Sequence, residues 1–372
     1  MKKIAIIMML AVTVVSTVSP QTTVYAYNNI STSKTVLSVD SENVIIKNTL
    51  QGYLSNKWEE EKSSQIIENK YILPDSLQMT YSNLKSKLEY KWCQGINETI
   101  DWYDMEITIN KIQEVGDLIE VDVNSNVTYQ YGGADFTSSA NEHHLIYLTN
   151  NDGEMLVVRD IYNDIFDGEE DILNSNIDFY NQDEFDEYIS EKIKKVTLDL
   201  KNVDKDIAKY KSNTDNGFQT LLNTQSELLY SSYNGSNAAS WAIDHVDDAE
   251  EWEGNDCTYF VSMALKQGGL PTDKTWYRNS NAFIRVIELR NWLINKSYAT
   301  EIVGTAYGNK GDVIQFYNSS KNRWSHSVIV TYVNHQYGNC YVSAHSDAYK
   351  NRSVRSYYPT STYSNARTLK LS

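Results

Sequence analysis

The amino-terminal half of the chain alternates apolar and polar residues in two successive patterns. Apolar side chains recur every three or four positions over residues 42–61 and 77–90, which predicts two helices. Residues 103–113, 118–131, 143–149 and 155–162 instead alternate with period two, and turn sequences such as Asn150-Asn151-Asp152-Gly153 separate them. Two helices followed by an antiparallel sheet predict an α+β domain with a curved, cone-like sheet over residues 27–182.

A single apolar stripe follows over residues 183–232. It predicts a long amphipathic helix that ends at the polar sequence of residues 212–217, and its members are Ile189, Ile193, Val196, Leu200, Val203, Ile207 and Tyr210. The helix is either a linker packed on one domain or a coiled coil that pairs two molecules. Two to three heptads are few for a coiled coil, so the linker interpretation is preferred.

The last segment, residues 233–372, is predicted to be a second α+β domain. An amphipathic helix follows Asn255 or Asp256, either of which can act as its N-cap, and Gly268-Gly269 ends it. Cys257 lies in the first turn of this helix, where free N–H groups and the macrodipole stabilise an anion. We therefore predict that Cys257 is a nucleophilic thiol with a lowered pKa.

A base for this thiol is predicted on the strands that follow. Residues 311–316 and 324–331 have the pattern of buried strands, and His326 lies at the entry of the second one. In the next strand, alternation places Ser343, His345 and Asp347 on one face, from which a polar side chain could orient the imidazole of His326.

These segments together resemble a known family. The sequences DCTYFVS with a following GG, GDVIQF, WSHSVIVT, and a histidine and an aspartate ahead of NRSV resemble the putative amidase domain family of the papain-like cysteine peptidase clan, over residues 233–358. That clan includes bacterial cell-wall endopeptidases and CHAP amidases. The resemblance implies a papain-like fold and a catalytic triad of Cys257, His326 and His345, with Asp347 as the alternative third residue.

The chain departs from the family pattern at two places. Tyr259 stands where the family usually has asparagine, and the acidic residues 247–253 replace its usual Asn-Pro stretch before the cysteine. The first change leaves the catalytic chemistry intact, and the second alters the expected cleft. Asp256 and Trp324 are candidates for substrate contact, although tryptophans at the density of this domain are more often core residues. The chemistry is acyl transfer through a thioester, which requires no metal or organic cofactor.

The first 26 residues have the pattern of a secretory signal peptide. Lys2 and Lys3 precede an apolar run over residues 4–18, and Val24-Tyr25-Ala26 fits a cleavage site. The alternative, a membrane anchor, is disfavoured because the run is shorter than the roughly 20 residues of a spanning helix. We expect a protein that is secreted or associated with the cell wall and has no membrane anchor after processing. Its richness in Asn, Lys, Ile and Tyr is typical of low-GC Gram-positive bacteria.

Charge and cysteine content limit the partners. The formal net charge is −16, and residues 27–232 alone carry 17 basic and 37 acidic residues, which argues against nucleic acid as a partner. The three cysteines leave at least one thiol outside any intramolecular disulfide. Cys93 and Cys340 form either a disulfide between the domains or two buried thiols, and the second is preferred.

Three functions remain open from the sequence. The preferred one is a secreted cysteine amidase or peptidase that hydrolyses amide bonds, with peptidoglycan peptides as the expected substrate. An acyltransferase of the same clan would use the same residues and pass the acyl group to an amine. A non-catalytic envelope protein would use the acidic domain and the long helix for binding or self-association.

Overall fold

The structure is a computed structural model that describes residues 39–164, 166, 168, 172–223, 233–252, 256–334, 338–345 and 349–371. Side chains are described from residue 42 onward, except those of residues 213–223. The predicted signal peptide therefore lies outside the described residues. The helices are α1 (Val39–Ser63), α2 (Leu77–Ile96), α3 (Gln182–Asn223), α4 (Gly235–Asp244), α5 (Cys257–Gln267), α6 (Asn281–Ile284) and α7 (Val286–Asn295).

Ten strands accompany these helices in the described ranges. They are β1 (Ile100–Val115), β2 (Leu118–Tyr131), β3 (Ser138–Asn151), β4 (Glu154–Ile161), β5 (Ala299–Val303), β6 (Val313–Asn318), β7 (Arg323–Asn334), β8 (Asn339–Ala344), β9 (Tyr349–Ser353) and β10 (Tyr363–Leu371). All strand pairs among them are antiparallel. The predicted α+β class is confirmed.

One sheet contains strands from both halves of the chain. Its order is β1-β2-β3-β9-β8-β7-β6-β10-β5, and β4 pairs with β3 outside this path. The two halves meet where Ser139 pairs with Lys350 and Ala140 pairs with Tyr349. The first residues of β3 thus pair with β9, a strand of the carboxy-terminal half, so the sheet of the amino-terminal half does not end at β3.

Helix α3 departs from its prediction at its carboxy-terminal end. It continues through the polar residues 212–217 to Asn223, so the predicted break there is wrong. Its apolar stripe is buried inside the chain, in the same core cluster as α2 and the strands of the carboxy-terminal half. Asp199 accepts a hydrogen bond from the Ser361 N–H at 2.7 Å, and Lys209 donates one to the Ser364 carbonyl at 3.2 Å. The apolar side chains of α3 that a coiled coil would need are therefore already packed against the rest of the same chain.

Strands β6 and β7 carry a separate hydrophobic cluster on each face. On one face Val313 and Ile329 pack with residues of α4, α5 and α7, including Phe260. On the other face Ile314, Phe316, Val328 and Val330 pack with α2 and α3. We call the first the α5 face and the second the α3 face. Because neighbouring residues in a strand point to opposite sides, this division sets which side chains of β7 can meet α5.

The three cysteines all lie within the described residues. Each of them is buried, and none forms a disulfide. The preferred interpretation of Cys93 and Cys340 as two buried thiols is therefore confirmed, and the alternative disulfide between the domains is not formed. Burial raises the pKa of Cys340 to about 12 and also raises the pKa of Cys93.

Within the described residues, no helix is long and apolar enough to cross a membrane. The same residues contain no group of three or more histidine, cysteine or acidic side chains placed to hold a metal ion.

Candidate active site

Cys257 is the first residue of α5, and the helix begins with the hydrogen bond from the Phe260 N–H to the Asp256 carbonyl at 2.9 Å. The N–H groups of the turn before Phe260 thus have no partner within the helix. Asp256 occupies the N-cap position, as one of the two predicted candidates. Its carboxylate makes no capping bond to the first turn among the described residues, which corrects the predicted capping role.

The carboxylate of Asp256 instead holds His345. The Asp256 Oδ2 to His345 Nδ1 distance is 2.7 Å, and the Asp256 Oδ1 accepts a hydrogen bond from the Trp252 N–H at 3.2 Å. On its other side, His345 Nε2 lies 3.1 Å from the carbonyl oxygen of His245. Both ring nitrogens of His345 therefore face oxygen acceptors, and only the imidazolium form can donate to both.

The charge state of His345 agrees with this geometry. Burial alone lowers the pKa of His345, but the hydrogen bonds to Asp256 and to the His245 carbonyl outweigh it, and the net pKa is raised. The ring also stacks on Phe260, with centroids 4.2 Å apart and planes at 22°. His345 thus ties the end of β8 to the first turn of α5 as a buried cation. Within the described part of the chain, the two hydrogen bonds of the His345 ring go to Asp256 and to the His245 carbonyl, and not to His326.

A hydroxyl pair joins α5 to β7. The Thr258 Oγ1 donates to the Ser327 Oγ at 3.1 Å, and Thr258 Oγ1 lies 3.8 Å from the Cys257 Sγ. Because Thr258 follows Cys257 and Ser327 follows His326, this hydrogen bond brings together the two chain segments that carry the predicted nucleophile and base. Thr258 and Ser327 are both buried.

Gln315 on β6 completes this junction. Its Nε2 donates to the Ser327 Oγ at 3.2 Å and to the Val286 carbonyl at 2.9 Å, and its Oε1 accepts from the Arg367 Nε at 2.9 Å. The buried side-chain amide of Gln315 is thus hydrogen-bonded to β7, to α7 and to β10. A satisfied buried network of this kind fixes the position of β7 against the helices of the α5 face.

His326 is buried at the start of the regular part of β7, directly opposite Phe316. Its ring is nearly parallel to those of Phe316, Tyr357 and Tyr363, with centroids 6.2, 5.5 and 6.1 Å away. These three rings belong to the cluster on the α3 face. The imidazole is therefore bordered by aromatic side chains on one side, while its neighbour Ser327 contacts α5.

With this geometry in place, comparison with known proteins gives one match. Residues 232–370 match the family described as "Putative amidase domain". The resemblance seen over residues 233–358 is thereby confirmed. No curated protein and no solved structure matches the chain significantly. The carboxy-terminal part of the chain therefore contains a putative amidase domain, and this match suggests hydrolysis of amide bonds in general.

The remaining predicted site residues of the amidase domain fall in different places. Trp324 is partly buried on β7, two residues before His326, with its ring 4.2 Å from the Arg367 guanidinium and edge-on to Tyr317. Asp256 is only 1% exposed, so its contacts are internal and not with a bound substrate. Asp347, the alternative third catalytic residue, lies outside the described residues.

Three polar residues of this site were not found from the sequence. Thr258, Gln315 and Ser327 stand between apolar residues in the segments CTYFV, VIQF and HSVIV. A polar side chain in a strand that is otherwise buried is a signal that it has a buried partner. The sequence alone does not identify that partner, because the pairing depends on how α5 packs across the two strands.

Proposed function

We propose that the protein is a cysteine-dependent amidase or peptidase with Cys257 as its nucleophile and His326 as its general base and acid. The observation that carries the proposal is the Thr258 to Ser327 hydrogen bond, which holds the helix start bearing Cys257 against the backbone of β7 next to His326, inside a domain that matches an amidase family. Because the His326 ring borders the aromatic side chains of the α3 face, the proposal requires the imidazole to reach the thiol around the start of β7. The position of Cys257 at the start of α5 supports a stabilised thiolate.

The proposed reaction has two stages. The Cys257 thiolate attacks the carbonyl carbon of the amide and forms a carbon–sulfur bond, and the N–H groups of the first turn of α5 bind the oxyanion. The His326 imidazolium protonates the leaving nitrogen, the C–N bond breaks, and an amine departs from the thioester. Water, deprotonated by His326, then attacks the thioester carbonyl and releases the carboxylic acid and the thiol.

Asp256 and His345 are proposed to position this machinery without contacting the substrate. Their buried ion pair fixes the residue before Cys257 to the end of β8. The third catalytic group that orients His326 is proposed to be Asp347, because the described hydrogen bonds of His345 are made to Asp256 and to His245.

For the substrate, we propose amide bonds in peptidoglycan peptides, cleaved outside the cytoplasm. The predicted signal peptide of residues 1–26 and the resemblance to cell-wall enzymes support this proposal. Trp324, two residues before His326 on β7, is proposed to contact a bound peptide.

The test compares the protein with Cys257→Ala and, as a matched cysteine control, Cys340→Ala. Each is incubated with purified peptidoglycan in the presence of an isotope-labelled primary amine, and new amino groups and fragment masses are measured. We expect the wild type and Cys340→Ala to release amines and Cys257→Ala to release none. Label incorporated in excess of hydrolysis would replace the hydrolase with an acyltransferase. Equal release by all three proteins would refute a role for Cys257.

A further inference from the structure

A cavity of about 170 Å³ lies at the boundary between the two halves of the chain, and most of its lining residues belong to the amino-terminal half. It is partly open to solvent and is lined by α1 and α2, by β2, β3 and β4, and by β9 with the turn that follows it. None of its lining residues is Cys257, His326 or His345. Its walls combine aromatic rings with charged groups, among them Lys57, Trp58, Glu61, Tyr129, Glu142 and His144.

Most of the charges around this cavity are already paired. Ion pairs at 2.6 Å join Lys57 to Glu142 and Lys85 to Asp164, and Arg355 binds Glu89. The charged groups in such pairs already bind each other, so we assign them a structural role in the walls of the cavity. A ligand has to be recognised by the groups that these pairs leave over.

His144 is the first of these remaining groups. Its Nδ1 lies 2.9 Å from the Asp160 Oδ1, whereas its Nε2 has no hydrogen-bond partner among the described residues. Among the same residues, Nε2 forms only a long ion pair, to Oε2 of Glu142 at 3.6 Å, which a closer acceptor could replace. The side chain is 3% exposed. Burial lowers the pKa of His144, but Asp160 and Glu142 raise it to about 9, so Nε2 carries a proton that it can donate into the cavity.

Glu61 is the second group. It is partly buried on α1, one turn after Lys57, and within the described part of the chain its carboxylate has no hydrogen bond or ion pair. A carboxylate in this setting gains more from a cation than one exposed to water does. Glu61 therefore provides an acceptor for a positively charged ligand group.

Aromatic rings lie beside these two groups and accept cations. Trp58 is buried and packs on Tyr129, with ring centroids 4.7 Å apart. The ammonium of Lys57 already lies 5.1 Å from the Trp58 ring, and that of Lys85 lies 5.0 Å from the Tyr162 ring. Rings that hold protein ammonium groups at such distances are suited to a ligand ammonium as well.

We propose that this cavity binds a free α-amino acid, with its ammonium at Glu61 and Trp58 and its carboxylate at the Nε2–H of His144. The volume favours a ligand of this size, because cavities of about 150 Å³ hold a benzene-sized molecule and not a chain of several residues. The site is independent of the proposed catalytic mechanism. Tyr349 and Arg355 of the amidase domain also line the cavity, whereas the three proposed ligand contacts belong to the amino-terminal half.

The protonation of Glu61 gives this site a defined pH dependence. Burial raises the pKa of Glu61 to about 7, with Arg355 and Lys57 lowering it and Glu89 and Glu98 raising it. Only the carboxylate form attracts an ammonium, so affinity increases as the pH rises through this value. Between about pH 6 and pH 8 the ionised fraction, and with it the affinity, rises roughly tenfold.

The experiment uses the purified protein in a thermal-shift screen of the twenty L-amino acids and D-alanine. The strongest stabiliser is then titrated by calorimetry, alongside its N-acetyl derivative and the amine that lacks its carboxylate. We expect at least one free amino acid to bind, the two derivatives to bind about tenfold or more weakly, and the affinity to rise with pH.

Glu61→Gln is the test variant, and Glu59→Gln is its matched control. Glu59 lies on the same helix, is exposed, bonds to Tyr103 and does not line the cavity. Glu61→Gln is expected to weaken binding about tenfold and to abolish its pH dependence, while Glu59→Gln binds as the wild type does. The proposal is overturned if no amino acid of the screen binds, or if Glu61→Gln binds with unchanged affinity and pH dependence.

Discussion

The ion pair of Asp256 and His345 is the strongest electrostatic feature next to Cys257. Both side chains are buried, and His345 is held as a cation by oxygen atoms on both of its nitrogens. Folding therefore gives His345 a higher pKa than the value of about 6.5 in an unfolded chain. The stabilisation from its protonation is fully present below about pH 6.5 and is lost as the pH rises through the raised, folded-state value.

Asp256→Asn tests this pair, because asparagine keeps the shape and removes the charge. We expect the free energy of unfolding to fall by about 2–3 kcal/mol near pH 6, since a hydrogen bond between charged groups is lost. The difference from the wild type should shrink as the pH rises through the raised pKa of His345, where the imidazolium loses its proton. Urea unfolding measured as a function of pH gives both effects.

The control for Asp256→Asn is Asp248→Asn. Asp248 pairs with His245 at 2.7 Å on the same loop, but its side chain is 62% exposed. Exposed pairs of this kind contribute little, so stability should hardly change. An Asp256→Asn variant with unchanged stability and pH dependence would show that His345 is not held as a cation.

At the scale of single residues, the sequence could predict that Cys257 lies in the first turn of a helix, but not which residues its neighbours contact. Helix-start chemistry depends on local residues, and Asp256 next to Cys257 is visible in the sequence. That the Asp256 carboxylate turns to His345, 89 positions away, follows from the packing of β8 on α5. Local spacing contains no information on such a contact.

The junction of α5 with β7 decides the geometry of the site at the level of elements. Thr258, Ser327 and Gln315 form a buried chain of hydrogen bonds across a helix and two strands. These bonds fix where the start of α5 lies along β7, and therefore where the Cys257 thiol lies relative to the strand of His326.

Thr258→Val removes the hydroxyl that links α5 to β7 and keeps the side-chain shape. It should cost about 1–2 kcal/mol of stability, because buried polar groups lose a partner. It should also lower kcat/KM by about tenfold or more, through a shift of Cys257. Urea unfolding and steady-state kinetics on the cleaved amide give the two values.

Thr258→Ser is the control, since it retains the hydroxyl and removes only a methyl group. It should recover most of the kcat/KM lost in Thr258→Val. A loss in Thr258→Ser with little or no loss in Thr258→Val would mean that the methyl packing of Thr258, and not its hydrogen bond to Ser327, positions the helix.

Periodicity predicted the elements well where one face is buried and the other is exposed. Strand β2 has the predicted bounds of Leu118–Tyr131, and α5 starts at the predicted Cys257. The end of α3 was wrong, because residues 212–217 favour a turn locally and yet continue the helix. Tertiary packing of the preceding turns on α2 and the sheet outweighs that local preference.

On the scale of the whole molecule, the two halves of the chain share one sheet and one core cluster. Strand β3 pairs with β9, and α3 packs on the sheet of the amidase domain. Arg355 adds a polar connection, since its guanidinium binds Glu89 and Glu98 of the amino-terminal half and lies 3.5 Å from the Cys93 sulfur. We expect the halves to unfold in a single cooperative transition.

Arg355→Met tests this connection, because it leaves the carboxylates of Glu89 and Glu98 without their cation. Breaking a buried ion pair on one side costs about 3–5 kcal/mol, so the unfolding midpoint should drop markedly. Arg278→Met is the matched control, since Arg278 pairs with Glu251 at the surface and should matter little. Two separate unfolding transitions in the wild type would contradict a shared core.

The sequence predicted the two α+β segments and the helix between them, but not the continuity of the sheet. The pairing of β3 with β9 involves residues more than 200 positions apart and only two residue pairs. Periodicity along one strand gives its buried face and not the identity of its neighbour. The domain resemblance ends at the amidase segment, so it could not supply this contact either.

The central claim, that Cys257 is the reactive thiol, is tested most directly by alkylation with iodoacetamide across pH, read by peptide mass and by residual activity. Burial raises the pKa of Cys340 to about 12 and raises that of Cys93, so neither should react in the folded protein. Cys257 should be the modified residue, with a reactivity midpoint below the ordinary thiol pKa of about 8.5. Activity should be lost at the same rate as the thiol. Alkylation that spares Cys257, or that modifies it fully while activity persists, would contradict the account.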